Sequence, residues 1–275
     1  MTKNKPYKST FFKNEKLPFI EARFVKDSPY HYKEHFHETL SIGVVEVGTI
    51  SYRNKGGDYL LRQNELAVIN PFVMHSCNPA QKELRTYHMI YIDTAYCKAV
   101  QETLFGQLDS YIDVNIVNIE DKELYEKYLD LNYNLFDNEI LYLEKEQLLQ
   151  EFLIELFTLY CDKEISSNLK NSNITKAIEY MDENYKENLT VQEISDYIGI
   201  SQFYFIKLFK QEMNLTPHIY LLNKKISQSK KLISEGMEIS SVALEVGLND
   251  QSHLNRLFKQ YVAVTPREYK ISTIK

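Results

Sequence analysis

The chain has 275 residues, of which 44% are hydrophobic and 25% charged, with a net charge of −6. That length suits about two domains, and the balance is that of packed globular protein, which excludes a disordered polyelectrolyte. No apolar run reaches the roughly 18 residues that span a bilayer, and none follows the basic opening MTKNKPYKST, so no membrane is expected and the chain reads as cytoplasmic.

The first half is written in short β-rich runs, LSIGVVEVGTISYRNKGGDYLL, NELAVINPF and RTYHMIYID, punctuated by turn signals at Asn54 to Asp58 and at Asn70 and Pro71. An antiparallel barrel or sandwich is the expectation. Small barrels commonly enclose one small molecule, and His35, His37, Tyr52, Arg53, His75 and Tyr87 are the candidates for a polar effector-binding lining. Cys77, Cys97 and Cys161 form no CxxC pair, which argues against a disulfide framework or structural zinc and for buried thiols.

Asp121 to Cys161 is helical in composition, with Leu148, Leu149, Phe152, Leu153, Leu156 and Phe157 at helical spacing. That stripe suits packing onto the barrel or a dimer interface, and one helix could do both. Asp162 to Asn173 reads as a polar linker.

The last hundred residues repeat themselves. Leu208, Phe209, Lys210 and Gln211 recur as Leu257, Phe258, Lys259 and Gln260, and Thr216 with Pro217 recurs as Thr265 with Pro266. Each copy reads as a short amphipathic helix, a turn at Gly199 or Gly247, and a second helix starting at Ser201 or Asn249, which is the helix-turn-helix pattern. Thr190 and Glu193 have the spacing of a capping box. Buried stripes of Phe205, Leu208 and Phe209, and of Leu254, Leu257 and Phe258, leave one free face on each second helix. The first offers Gln202, Phe203, Ile206, Lys207 and Lys210; the second offers Gln251, Ser252, His253, Asn255, Arg256 and Lys259. Gln, Asn and Arg can bond base edges bidentately, so the second copy has the richer reading chemistry and the first leans on phosphate contact. Pro217 to Glu235 reads as a single rod of about 28 Å, close to the roughly 34 Å of one duplex turn. Residues 201–231 also carry Lys207, Lys210, Lys224, Lys225, Lys230 and Lys231 against Glu212 alone, a stripe suited to phosphates.

Residues 171–275 closely resemble the DNA-binding domain of the AraC/XylS family of bacterial transcription regulators, through LTVQEISDYIGIS, FIKLFKQEMNLTPHIYLLNKKISQSKKLI and ISSVALEVGLNDQSHLNRLFKQYVAVTPREY. The resemblance implies seven helices, with base contacts at Phe203, Ile206 and Lys207 and at Ser252, Asn255 and Arg256. Ile206 stands where the family commonly has a polar residue. HYKEHFHETLSIGVVEVGTISYR and LLRQNELAVINPFVMHS are similar to the cupin-like sensor barrel of the same family. Metal-binding cupins add a glutamate four or five residues after the second histidine, where this chain has Ser41 and Ile42, so no metal, cofactor or catalytic residue is expected.

The expected fold is therefore an α+β two-domain chain: a cupin-like effector-sensing and dimerisation domain over 1–165, and an all-α domain with two helix-turn-helix motifs over 166–275. The expected function is sequence-specific regulation of transcription on double-stranded DNA, as an effector-responsive activator that is a homodimer through helices within 121–161 and meets RNA polymerase. The rivals are a cupin-type metal-dependent enzyme fused to a DNA-binding domain and a regulator without an effector.

Overall fold

The computed structural model describes residues 8–54, 56–80, 83–162, 172–213 and 215–274. The boundary expected at 165 and 166, and most of the expected linker, lie outside them.

Strands β1 (Lys8–Asn14), β2 (Leu17–Ser28), β3 (Leu40–Val47), β4 (Ile50–Asn54), β5 (Gly57–Leu61), β6 (Leu66–Ile69), β7 (His75–Pro79) and β8 (Arg85–Ile92) form most of the first domain. Two sheets result: a large one in the order β10-β1-β2-β8-β3-β6-β9, with β9 at Asn118–Ile119 and β10 at Thr273–Ile274, and a small one in the order β5-β4-β7. Val25, Val45, Ala67, Ile69 and Tyr87 of the large sheet meet Ile50, Tyr52 and Leu61 of the small one. The opposite face of the large sheet, with Ala22, Ile42, Val68, Ile90 and Ile92, lies under helices α1 (Thr94–Phe105), α2 (Lys122–Phe136) and α3 (Tyr142–Tyr160). Its central strands are thus covered on both sides, which is why LSIGVVEV carries no clean apolar-polar alternation. Leu149, Phe152, Leu153, Leu156 and Phe157 are buried in that layer and Leu148 packs at its edge, so the stripe on α3 is consumed by the barrel. The dimer contact expected of it would have to use another face.

Among the described residues seven helices follow: α4 (Ser172–Glu183), α5 (Val191–Ile198), α6 (Gln202–Met213), α7 (Pro217–Ser234), α8 (Ile239–Glu245), α9 (Gln251–Val262) and α10 (Pro266–Ser272). They make two small cores sharing α7. Phe205, Leu208, Phe209 and Tyr220 belong to the first, and Val242, Leu254, Phe258 and Tyr269 to the second.

Each of those cores is completed by a phenylalanine from the barrel. Phe36 enters the first, its ring 5.5 Å from that of Tyr220. Phe11 enters the second, 4.7 Å edge-on from Tyr269. The last strand β10 (Thr273–Ile274) pairs in parallel with β1, so the end of the helical half joins the barrel's own sheet.

Candidate nucleic-acid interface and sensor cavities

Local chemistry sets the two helix-turn-helix units as the sequence suggests. The Thr190 and Glu193 capping box opens α5, Gly199 closes it at φ 74, and Gly247 takes φ 68 at the matching turn, a backbone region that glycine enters at little cost. Asp250 caps α9 through the His253 amide, and Thr216 and Thr265 cap α7 and α10 ahead of a proline in the first turn.

On α6, Gln202, Phe203, Ile206, Lys207 and Lys210 are all exposed, Phe203 by 81%, while the Gln202 amide bonds Gln192 of α5. On α9, Gln251, Ser252, Arg256 and Lys259 are exposed, and His253 and Asn255 are half-buried. Both faces are turned away from their own cores. The 18-residue α7 between the units is about 27 Å long at 1.5 Å per residue, which approaches one turn of B-form DNA.

The lysine stripe is not what charge counting suggests. Lys224 pairs with Glu38 at 3.1 Å and Asp182 at 2.9 Å; Lys230 pairs with Glu21 at 2.6 Å; buried Lys225 donates to the Gly247 carbonyl at 2.7 Å. Glu21, Glu38 and Asp182 are remote in sequence, so counting charges within one window misses them. Lys207, Lys210 and Lys231 remain exposed and able to meet phosphates.

In the barrel, an internal cavity of about 40 Å³ lies between the sheets and is lined by His35, His37, His75 and Tyr87 among others. Tyr52 and Arg53 do not line it. Tyr52 is buried in the inter-sheet core with its hydroxyl held by Asn54, and Arg53, one residue on and therefore on the other face, is exposed and paired with Asp58 at 2.6 Å. Tyr32, Arg85 and Tyr91 line the cavity without having been expected there. Arg85 is fully buried, donates to the carbonyls of Cys77 and Tyr30, and lies 5.4 and 5.0 Å from the rings of Tyr32 and Tyr87.

The three imidazoles form one cluster, their nearest ligand atoms all within 4.8 Å of one another. His35 and His75 exchange backbone hydrogen bonds of 3.0 and 2.9 Å as an isolated bridge, which sets their rings side by side. Burial holds His35 down to about 4 and His75 to about 3, and pushes His37 well below the usual histidine range, so all three are neutral at pH 7. Burial likewise raises the Cys77 and Cys161 thiols to about 12.

A second, larger cavity of about 1020 Å³ runs between the barrel and α7, bounded by Lys13, Glu21, Arg23 and Tyr91 on one side and Asn223 and Lys230 on the other.

A sandwich barrel docked through α7 and α10 on a helical half that presents two exposed helix faces is the architecture of a DNA-binding regulator with a ligand-binding domain. Residues 18–131 match the AraC-like ligand binding domain and residues 194–271 match a helix-turn-helix domain, which together take in well over half of the chain. The chain belongs to the AraC-type family of transcriptional regulators. It is 28% identical over 238 residues, 86% of each chain, to the uncharacterized HTH-type transcriptional regulator YbfI of Bacillus subtilis. A shorter match, 32% identical over 92 residues, is to the probable transcriptional regulator LumQ of Photobacterium leiognathi, and takes in 33% of this chain and 37% of that one. The fold is also that of ToxT from Vibrio cholerae in its unsaturated fatty acid-bound structure, with a TM-score of 0.63 at 15% identity over 99% of this chain and 98% of that one.

Proposed function

We propose that this regulator is a sequence-specific transcriptional activator whose barrel reports a small effector to the two reading helices, and that it acts as a cytoplasmic homodimer rather than as an enzyme. The observation that carries the reading is the docking of the halves. Phe36 and Phe11 each complete one DNA-binding core, so a change in the barrel's docking face changes how α6 and α9 are presented. Effector coupling can be no larger than the effector's difference in affinity between the two arrangements.

The size of the two cavities favours the cleft over the barrel interior as the effector's seat. Ligand pockets commonly enclose about 300 to 1,000 Å³, whereas the barrel interior holds about 40 Å³ and the cleft against α7 about 1020 Å³. Dimerisation is supported by an exposed apolar line on α3, where Leu143 and Ile154, eleven residues apart and so on one side of the helix, both face outward.

Selection of bound fragments from random DNA by the purified chain tests the reading. Because α6 and α9 present different side chains, the enriched sites should hold two unlike elements about 10 base pairs apart. Failure to enrich any sequence would overturn it. A metabolite that shifts the selected-site affinity and the thermal midpoint together identifies the effector.

A further inference from the structure

Among the described residues, one group of side chains has the makings of a metal site and no part in reading DNA: His35, His37 and His75. The His35 Nδ1 lies 2.7 Å from the Lys33 carbonyl, and the His75 Nδ1 lies 2.9 Å from the Val73 carbonyl, in both cases the residue two positions earlier. A carbonyl only accepts, so each Nδ1 carries the proton and each Nε2 presents its lone pair, which is the outer-shell arrangement that orients histidine ligands. The reciprocal backbone bonds between His35 and His75 hold their two Cα positions side by side before any ion arrives.

We propose that these three imidazoles bind one divalent cation of the late first transition row, zinc foremost. Zinc–nitrogen bonds of about 2.0 to 2.1 Å at tetrahedral angles set ligand atoms about 3.4 Å apart. The present limit of 4.8 Å therefore asks the ligand atoms to draw in by at most about 1.4 Å, within the reach of side-chain rotations. Imidazole-only donor sets suit zinc, copper, nickel and iron, and discriminate against calcium and magnesium. The cavity of about 40 Å³ admits an ion and one small fourth ligand, and His35 and His37 also border the larger cleft against α7.

Three neutral ligands leave the ion's charge whole. Arg85, fully buried on the same cavity, adds a cation with no carboxylate in ion-pair range among the described residues, and its Nε is without a partner there. The fourth ligand is therefore an anion: hydroxide or a small carboxylate.

The site also has a route to the DNA-binding half. Along the segment between β2 and β3, His35 and His37 face the cavity, while Phe36 enters the first reading unit's core and Glu38 pairs with Lys224 of α7. Holding the odd-numbered side chains steadies the even-numbered ones.

The test uses the full chain, stripped by chelator and titrated with Co²⁺, then with Zn²⁺ as competitor. One equivalent should bind with the visible bands of a low-coordinate cobalt site, azide or formate should shift those bands, and added Zn²⁺ should abolish them. His35→Ala and His75→Ala should each weaken Co²⁺ binding at least tenfold, and His218→Ala, on α7, should not. Circular dichroism shows whether each variant is folded. Wild-type protein that binds no stoichiometric Co²⁺, or binding unchanged in a folded His75→Ala, overturns the site. Because the readout is spectroscopic, it stands or falls apart from any result with DNA.

Discussion

Glu21 on β2 and Lys230 on α7 meet at 2.6 Å across the two domains, and the Tyr269 hydroxyl donates to the same carboxylate at 2.8 Å. Four residues join the halves in two matched ion pairs, the other being Glu38 with Lys224 at 3.1 Å. The two acids titrate in opposite directions. Burial raises the Glu21 pKa, but Lys230, Lys13 and the Tyr269 bond outweigh it and hold the group below its ordinary value. At Glu38 burial prevails over Lys224, and the pKa is raised.

The signs follow from linkage. Glu21 contributes stability that is complete above the ordinary glutamate value of about 4.3 and is lost as pH falls through its lower folded value. Glu38 takes up its proton more readily folded than unfolded, so in the window above about 4.3 a fall in pH favours the fold while dissolving the pair with Lys224. Glu21→Gln should therefore cost about 2 kcal/mol by urea unfolding at neutral pH. Glu38→Gln should cost less than about 1 kcal/mol, because Lys224 keeps Asp182. Equal losses would contradict this ordering.

The two turn glycines separate backbone strain from close approach. A Cβ at Gly199 meets nothing within 4 Å, so Gly199→Ala bears only the left-handed conformation, about 1 kcal/mol. At Gly247 a Cβ would fall 1.7 Å from the Lys186 carbonyl oxygen, and backbone must move. Gly247→Ala should cost about 3 kcal/mol or more, and thermal unfolding of the two variants side by side measures the difference.

The helical half was legible because its signals are local. The cap at Thr190, the turns at Gly199 and Gly247 and the stripes on α6 and α9 are each set within a few residues. What escaped is non-local. β2 is buried at four consecutive residues, Ile20 to Arg23, because it lies inside the sheet between β1 and β8 with packing on both faces, so LPFIEARFVKDS shows no clean alternation and does not announce a strand. Helix α1 carries only a weak apolar stripe, with Cys97, Val100 and Gln101 as its buried face. The His35 to His75 bridge, the placement of Phe11 and Phe36 and the diversion of Lys224 and Lys230 to barrel acids all join residues tens to hundreds of positions apart. No window along the chain contains them.

Arg256 and Lys210 should fail differently on DNA. Arg256 is exposed on the free face of α9, where a guanidinium can take two acceptors of one base; Lys210 is exposed in the last turn of α6, suited to a phosphate. Arg256→Ala should cost about 1 to 3 kcal/mol at the selected site and relax preference at one position. Lys210→Ala should weaken all sequences alike and lower the salt slope by about 1. Salt-controlled binding titrations on the selected site and a scrambled duplex distinguish the two.

Phe36 and Phe11 allow the two reading units to be loosened one at a time. Truncating a buried phenylalanine typically costs about 3 to 5 kcal/mol. Here the ring comes from the other domain, so the loss falls first on docking and on the unit it enters. Phe36→Ala removes the contacts with Tyr220 and Phe72 and should speed amide exchange in α5 and α6; Phe11→Ala removes the contact with Tyr269 and should speed it in α8 and α10. If each substitution loosens only its own unit, the barrel grips the units independently and an effector could release one half-site while the other stays bound. If either substitution loosens both units equally, α7 transmits the change along its length and the pair of reading helices moves as one body.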